Sequence, residues 1–289
     1  MTTSALEPRA GRRCHNPVNA LHSAIYFAPE YDDELAALGL DRGSMAYFAG
    51  RAAPMGAVGA GVVTATFYNF SHALVSRMIP AAWAIVSPGA VLDARLRAAD
   101  AALTRLLGPD TVASPELAEA AALALRAAEA CGREARPLYA ANADLAVPER
   151  PHLALFHAAT LLREHRGDGH LAVLAAAGLD GLEAVVSHCA TGKGFTPRFF
   201  RLSRGWSAEQ WSAAQDRLRE RGLLDGSGEL TPDGTALRRE IEDTTDRLDR
   251  APYEHLGAAG VERLTALTGG FAQTVLAGGG FPLEHFGKG

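Results

Sequence analysis

Cysteine is scarce in this chain: Cys14, Cys131 and Cys189 are the only three in 289 residues. An odd number at wide spacing indicates neither a disulfide framework nor a structural zinc site, and a reducing, cytoplasmic setting is expected. Aromatic residues make up only 7%. No window reaches the ~18 uninterrupted apolar residues of a membrane span; the longest candidate, around 55–70, is broken by glycines, Thr64, Thr66 and Asn69. A soluble protein with no membrane partner is expected. Positive excess is missing too. The formal net charge of -5 counts against a nucleic-acid binder while leaving room for a local basic patch. Strand signals are nearly absent, the only convincing one lying near 229–231. No glycine-rich phosphate loop follows a strand, and no GxSxG elbow or paired-cysteine motif occurs, which removes the usual marks of nucleotide, serine-hydrolase and dithiol chemistry. Gly278–Gly280 has no strand before it and reads as a tail element.

What remains is a helix-rich globular composition, 48% hydrophobic and 21% charged, long enough for one large domain or two ordinary ones. Periodicity and punctuation predict helices at 16–27, 30–39, 58–78, 88–107, 114–131, 134–143, 151–166, 168–177, 180–190, 207–222, 232–250 and 257–276. Ser87-Pro88 and Ser114-Pro115 are helix starts, a capping residue followed by proline in the first turn, and Gly108-Pro109 is a stop. Residues 1–13 carry Arg9, Arg12 and Arg13 without a following apolar run, so they read as a frayed tail and not as a signal peptide. The segment 144–151, with Asp144, Pro148, Glu149 and Pro151, is the expected seam between halves at 14–145 and 146–289.

Gly205-Trp206-Ser207-Ala208-Glu209-Gln210-Trp211 opens a helix with Ser207 as cap and Gln210 three residues on, the spacing of a capping box. That helix runs to Arg221-Gly222-Leu223-Leu224. The stretch Asp225–Gly234 then turns through a short hairpin into a helix started by Pro232. This arrangement resembles the recognition helix and wing of a MarR-type winged helix-turn-helix. The whole chain resembles an actinobacterial family labelled helix-turn-helix or SalK-like, through Tyr47–Gly56, Phe67–Phe70 and Leu162–His170. The resemblance implies a mostly α, winged-helix fold and brings no established activity. A faint repeat (Leu21-His22-Ser23-Ala24 to Leu40-Asp41, against Phe156-His157-Ala158-Ala159 to Leu179-Asp180) is compatible with two related halves forming a pseudo-dimer.

Chemistry concentrates in Arg163-Glu164-His165-Arg166-Gly167-Asp168-Gly169-His170, where six ionisable residues occupy eight positions between two apolar runs. Charges in a core helix are costly unless paired or used. His157, Leu161, Glu164 and Asp168 share one face of a helix from Pro151, with Arg163, Arg166 and His170 on a neighbouring face. Read functionally, Glu164 or Asp168 is a base or acceptor, His157 a proton shuttle, His165 a further catalytic candidate, and Arg163 or Arg166 an anion clamp, with His170 beside them. Glu164, Asp168 and His157 would then line one internal cavity opposite a residue from 22–72. Read structurally, the same residues form a buried ion-pair network, with Gly167 and Gly169 easing a bend. A metal site is the weaker reading, because His157, Glu164, His165 and His170 lack the i, i+4 histidine pair of helical zinc enzymes and would need His22 or His72 to complete a set.

Tyr47–Gly56 is the second candidate. Arg51 stands among Phe48, Ala52, Ala53, Pro54 and Met55, and is expected to be buried against Glu30, Glu164, Asp168 or a bound anion. Phe67, Tyr68 and Phe70, with Asn69 and His72, form a core cluster or the lining of an aromatic ligand's site. For DNA reading, the first turns of helix 207–222 present Trp206, Glu209, Gln210 and Trp211 and no cation, while Arg198, Arg201 and Arg204 form a small basic patch. Two functions follow as expectations. One is a small-molecule-binding or catalytic protein on a repurposed winged-helix scaffold, with its pocket between the halves and a place in specialised metabolism. The other is a MarR-type regulator sensing an effector, with DNA as partner. A homodimer is compatible with both, and no cofactor is named by any motif.

Overall fold

The computed structural model describes residues 6–7 and 9–287, and the described chain is helical, with no strand beyond two isolated bridges, Phe195–Phe286 and Leu224–Leu230. In chain order its helices are α1 (Ala10–Ser23), α2 (Pro29–Ala36), α3 (Ser44–Ala52), α4 (Ala60–Phe67), α5 (His72–Ile85), α6 (Pro88–Leu107), α7 (Pro109–Val112) and α8 (Pro115–Ala128). They continue as α9 (Pro137–Ala143), α10 (Pro151–Ala176), α11 (Gly181–Cys189), α12 (Pro197–Ser203), α13 (Ala208–Glu220), α14 (Pro232–Leu248) and α15 (Arg250–Ala277). No single described helix is long and apolar enough to cross a membrane.

Two compact units form. One holds the chain up to Ala57, Ala82–Gly169 and Asp246–Phe281; the other holds Val58–Ala81, His170–Thr245 and the chain from Pro282. The units are interleaved in sequence, whereas the expected halves 14–145 and 146–289 are contiguous.

In the first unit α1 and α8 both pack on α15, and α2 packs on α6. Alanine makes these approaches close: the inward stripe of α8 is Leu117, Ala120, Ala121, Ala124, Ala127 and Ala128. Ser87 and Ser114 cap α6 and α8 as their spacing predicts, each accepting a bond from a backbone N–H three residues on. α1 begins at Ala10, within the stretch expected as a tail, and continues through Pro17; Met1–Ala5 and Pro8 lie outside the described residues. Its fully buried Cys14 and Val18 show why: packing outweighs the single backbone bond that proline removes. α15 turns at Gly257, whose φ of 77° is left-handed, so the helix expected from 257 is preceded by a helical segment that glycine sets at an angle.

The second unit is built on α11, α12 and α13. Asp180 and Glu183 form a capping box on α11, and Ser207 and Gln210 form the one read from sequence on α13. Trp211, Ala214 and Leu218 of α13 join Leu182, Val185 and Val186 of α11, Leu223, Leu224 and Ile241 in one apolar core. Trp211 is therefore a core residue and not a groove reader. Trp206 is likewise held inward, its Nε1 donating to the carbonyl of Asn69 at 2.9 Å. The expected strand near 229–231 is reduced to one bridge closed by Asp225 N to Glu229 O at 2.9 Å and Thr231 N to Leu223 O at 3.1 Å. The helix expected over 58–78 breaks between α4 and α5. Tyr68 takes a φ of 60° there, and its hydroxyl donates to the Leu179 carbonyl at 2.5 Å.

Candidate functional site

α10 runs unbroken from Pro151 to Ala176, so Gly167 and Gly169 do not end it as the predicted boundary at 166–168 implied. A Cβ on Gly169 would fall 2.7 Å from Nη1 of Arg136. The missing side chain lets that guanidinium lie against the helix, where it donates to the carbonyl of His165 and, through Nη2, to Leu248 O at 2.9 Å. This glycine serves a close approach, not a bend.

Glu164 is the centre of the first unit's polar cluster and is only 2% exposed. Arg51, from α3, meets it at two points, Nε to Oε1 at 3.3 Å and Nη2 to Oε2 at 3.0 Å, and Nη1 of Arg163 also pairs with Oε1. Of the acids expected for Arg51, Glu164 is its partner here, while Glu30 pairs with Arg105 on the surface. Burial opposes ionisation of Glu164, but Arg163 and Arg51 outweigh it and hold the carboxyl at about 2.

His22 packs flat on Phe156 beside this pair, with its Nδ1 at 2.8 Å from the Thr160 hydroxyl and its Nε2 at 3.2 Å from the Tyr26 hydroxyl. Thr160 spends its one proton on the Phe156 carbonyl at 2.8 Å, so it can only accept from His22. Nδ1 therefore carries the hydrogen. Burial, reinforced by Arg163, keeps the ring neutral far below its ordinary range. Nε2 is then an acceptor, and Tyr26 donates to it. Tyr26 also meets Tyr47 edge-on, and the Tyr47 hydroxyl accepts from Nη1 of Arg51 at 3.4 Å. The arrangement is a proton-donor and proton-acceptor couple, Tyr26 and His22, beside a clamped arginine.

Arg95 of α6 adds a third guanidinium, buried and bonded among the described residues only to neutral acceptors, the Gly50 carbonyl and the Asn142 side-chain oxygen, each at 3.3 Å. Arg51, Arg95 and Arg163 all act on the His22 ring, as does Glu164, and Asp168 acts in turn on Arg51 and Glu164. The cluster carries more positive than negative charge.

The other expected site residues go to separate tasks. Asp168 faces α9, its Oδ2 accepting from Tyr139 N at 2.9 Å, with a further backbone bond from Leu138. It caps a helix that has no side-chain cap of its own. Burial raises its pKa to about 6 against the pull of those bonds. His157 is buried with no hydrogen bond to another described residue, and burial, then Arg95, lowers it to about 4. His165 donates Nδ1–H to Asp249 at 2.8 Å, and Arg166 pairs with Asp246 at 2.9 Å, where Arg12 also binds. In that second network Asp246 and Asp249 are shared among Arg12, His165 and Arg166, each of which has a carboxylate partner, and it reads as structural. His170, Phe67, Tyr68 and His72 belong to the second unit. His170 bonds Thr245 at 2.9 Å, Phe67 packs on Phe70, and the exposed His72 is held between Thr64 and Ser76. Among the described residues no three His, Cys, Asp or Glu side chains converge to hold a metal ion.

Sequence reasoning missed Tyr26, Thr160 and Arg95. The signal for Tyr26 is its i+4 relation to His22, and for Arg95 its place in the otherwise apolar inward stripe of α6.

In the second unit Arg217 and Arg219 of α13, and Arg221 at its end, are all engaged within the protein. Arg217 pairs with Glu183 at 2.7 Å and Asp180 at 2.9 Å, Arg219 with Asp216 at 2.7 Å, and Arg221 bonds the carbonyls of Gly178 and Ala177. Arg204, expected in a phosphate-binding patch, instead lies 4.3 Å over the Phe70 ring. Arg198 remains exposed and Arg201 partly so. No curated protein and no solved structure matches the chain. Residues 11–282 match a helix-turn-helix family, and with nearly its full length so covered, beside the α11–α12–α13 unit just described, the chain belongs to that family.

Proposed function

We propose that this helix-turn-helix protein binds a small organic anion in its first unit, at the partly exposed side of the cluster where Tyr26, Tyr47, Arg51 and Arg163 meet solvent. The observation that carries this reading is the crowding of guanidinium groups: Arg51, Arg95 and Arg163 stand against Glu164 and, one turn along, Asp168, and among the described residues Arg95 bonds only neutral acceptors. An uncompensated guanidinium away from water is expensive, and an oxyanion is the group that relieves it. The Tyr26 hydroxyl, oriented by its bond to His22, then stands beside the arginines as a fixed partner for a bound substrate or a sensed effector. On this view the scaffold is a MarR-type winged helix whose hairpin is vestigial, and its work lies in small-molecule metabolism in the cytoplasm.

Titration calorimetry with benzoate and with inorganic phosphate tests the reading, in the wild type and in Arg163→Gln, where Glu164 keeps Arg51. Saturable binding that weakens at least about tenfold in the variant supports it. Equal heats in both proteins refute it.

The family and the order α11, α12, α13, hairpin favour a second reading, a DNA-binding regulator of MarR type whose effector is that same anion. A gel shift on the promoter region of its own coding sequence, run at low salt, separates the two.

A further inference from the structure

Four residues of α14 within the second unit point inward: Gly234, Arg238, Ile241 and Thr245, at spacings of four, three and four. Three are small, apolar or hydroxylic, and Thr245 spends its proton on the Ile241 carbonyl at 2.8 Å. The fourth is an arginine with its side chain 8% exposed. Its Nε and Nη1 are buried and have no hydrogen-bond acceptor among the described residues. The nearest carboxylate oxygen, Oε1 of Glu242 one turn along, lies 3.7 Å from Nη2, beyond hydrogen-bond range. Leaving a guanidinium without acceptors in a desolvated place is among the most costly arrangements a fold can hold. The other ion pairs of this unit show the contrast: Glu183, equally buried, is met by Arg217 at 2.7 Å and by Arg221 at 3.4 Å.

Glu242 and His188 are the titratable neighbours of Arg238 that the electrostatics bring out. His188, at the end of α11, senses Arg238, Glu242 and Lys193. Burial keeps its ring neutral, so it offers no charge of its own. Lys193 is exposed in the loop after α11, between Gly192 and Gly194, both left-handed. Glu242 acts on Arg238 but does not reach its buried Nε and Nη1.

We infer that Arg238 anchors a second binding site, in the helix-turn-helix unit, for a small oxyanion group, a carboxylate or a phosphate monoester. Nε–H and Nη1–H of Arg238 supply the directed donors. The site is separate from the one in the first unit and shares no residue with it.

The test is chemical unfolding at constant ionic strength, with chloride replaced stepwise by acetate in one arm and by inorganic phosphate in the other. The proteins are wild type, Arg238→Met and Arg163→Gln. In chloride alone Arg238→Met unfolds at a higher denaturant midpoint than wild type, because a thioether of similar length replaces an unsatisfied charge. As acetate or phosphate rises, the wild-type midpoint climbs and saturates, and Arg163→Gln keeps that part of the response. The arm that saturates at the lower concentration names the group, and in Arg238→Met the response is at least about tenfold weaker. In the wild type, the Nε–H resonance of Arg238 also shifts with the same saturation, which serves if the methionine variant does not fold. An Arg238→Met protein less stable than wild type in chloride overturns the proposal, since the guanidinium would then already be satisfied. Parallel responses in wild type and variant overturn it as well, showing only a general salt effect.

Discussion

Arg51 and Glu164, 113 positions apart in the sequence, meet as a two-point pair with nitrogen–oxygen distances of 3.3 and 3.0 Å. The contact ties α3 to α10, and Arg163 holds the same carboxylate from within α10. An acid so placed serves as a fixed anchor for arginine, not as a base. At about 2, its pKa lies too low for it to take up a proton near neutrality.

Arg51→Met leaves Glu164 with one arginine and an Oε2 that has lost its donor. The expected cost is on the order of 3 kcal/mol, the lower end for breaking a buried pair, read from urea unfolding at pH 7. Adding Glu164→Gln in that background should return much of the loss, because an amide replaces the stranded carboxylate. A double variant no more stable than the single one would show that the pair contributes little.

The buried histidines set a pH dependence. His15 is lowered to about 3 and His157 to about 4, both mainly by burial, and His22 is lowered as well. Below the ordinary value of 6.5 the unfolded chain takes up these protons first, so stability is lost as pH falls from 6.5 toward the folded values. Asp168 runs the other way: raised to about 6 from 3.8, its contribution is complete below 3.8 and disappears as pH rises through 6. It offsets one histidine, and the histidines prevail. Glu164, depressed from 4.5 to about 2, adds its loss only as pH drops through that lower window. His157→Asn should therefore flatten the fall in stability between pH 6 and 5 by roughly 1.4 kcal/mol per pH unit, the worth of one proton. An unchanged slope would remove His157 from the account.

What could be read from sequence was what is local. Ser87, Ser114 and the Ser207–Gln210 box sit three residues from the groups they bond, so their helices start where the spacing says. α3 escaped notice because Ser44–Ala52 is short, nearly all apolar and preceded by Gly43, with no side-chain cap. The break at Tyr68 has no glycine or proline to announce it; a tertiary bond to Leu179 holds it. The site followed the same rule. Glu164 and Arg51 stood out as charges in apolar runs, whereas the partner that explains Gly169 comes from Arg136, and the one that explains Asp168 from the start of α9. Neither is near in sequence.

Gly167 and Gly169 make a matched test of that reading. A Cβ at Gly167 meets nothing nearer than Oε2 of Glu164 at 3.7 Å, an ordinary contact. Gly167→Ala should therefore stabilise α10 by about 0.5–1 kcal/mol through helix propensity. Gly169→Ala gains the same propensity but pushes Arg136 off the His165 and Leu248 carbonyls, for a net loss of about 1 kcal/mol. Thermal melting of the two variants should move in opposite directions; equal shifts would mean that Arg136 does not depend on the bare backbone.

The α13 arginines supply the last prediction. Arg217 and Arg221 hold Glu183, which is buried in the core of the second unit, and Arg219 is tied to Asp216 and the Asp225 carbonyl. The face of α13 left exposed is Glu209, Gln210, Ser212, Ala213, Asp216 and Glu220, with Arg217 already engaged. Acidic groups on that face repel phosphates, and specific readers normally bind at 10⁻⁸ M or tighter, about, at physiological salt. Arg217→Ala should accordingly act as a stability variant, lowering the unfolding free energy by about 1–2 kcal/mol because Glu183 then keeps only the Asp180 N–H and the longer contact to Arg221. Any weak DNA binding at low salt should be unaffected by it, and should respond instead to Arg198→Ala or Arg201→Ala on α12. Were the wild type to bind its own promoter in the nanomolar range at physiological salt, with Arg217→Ala weakening it in proportion to a lost phosphate contact, the arginines would have to leave Glu183 on binding, and α13 would be a recognition helix after all.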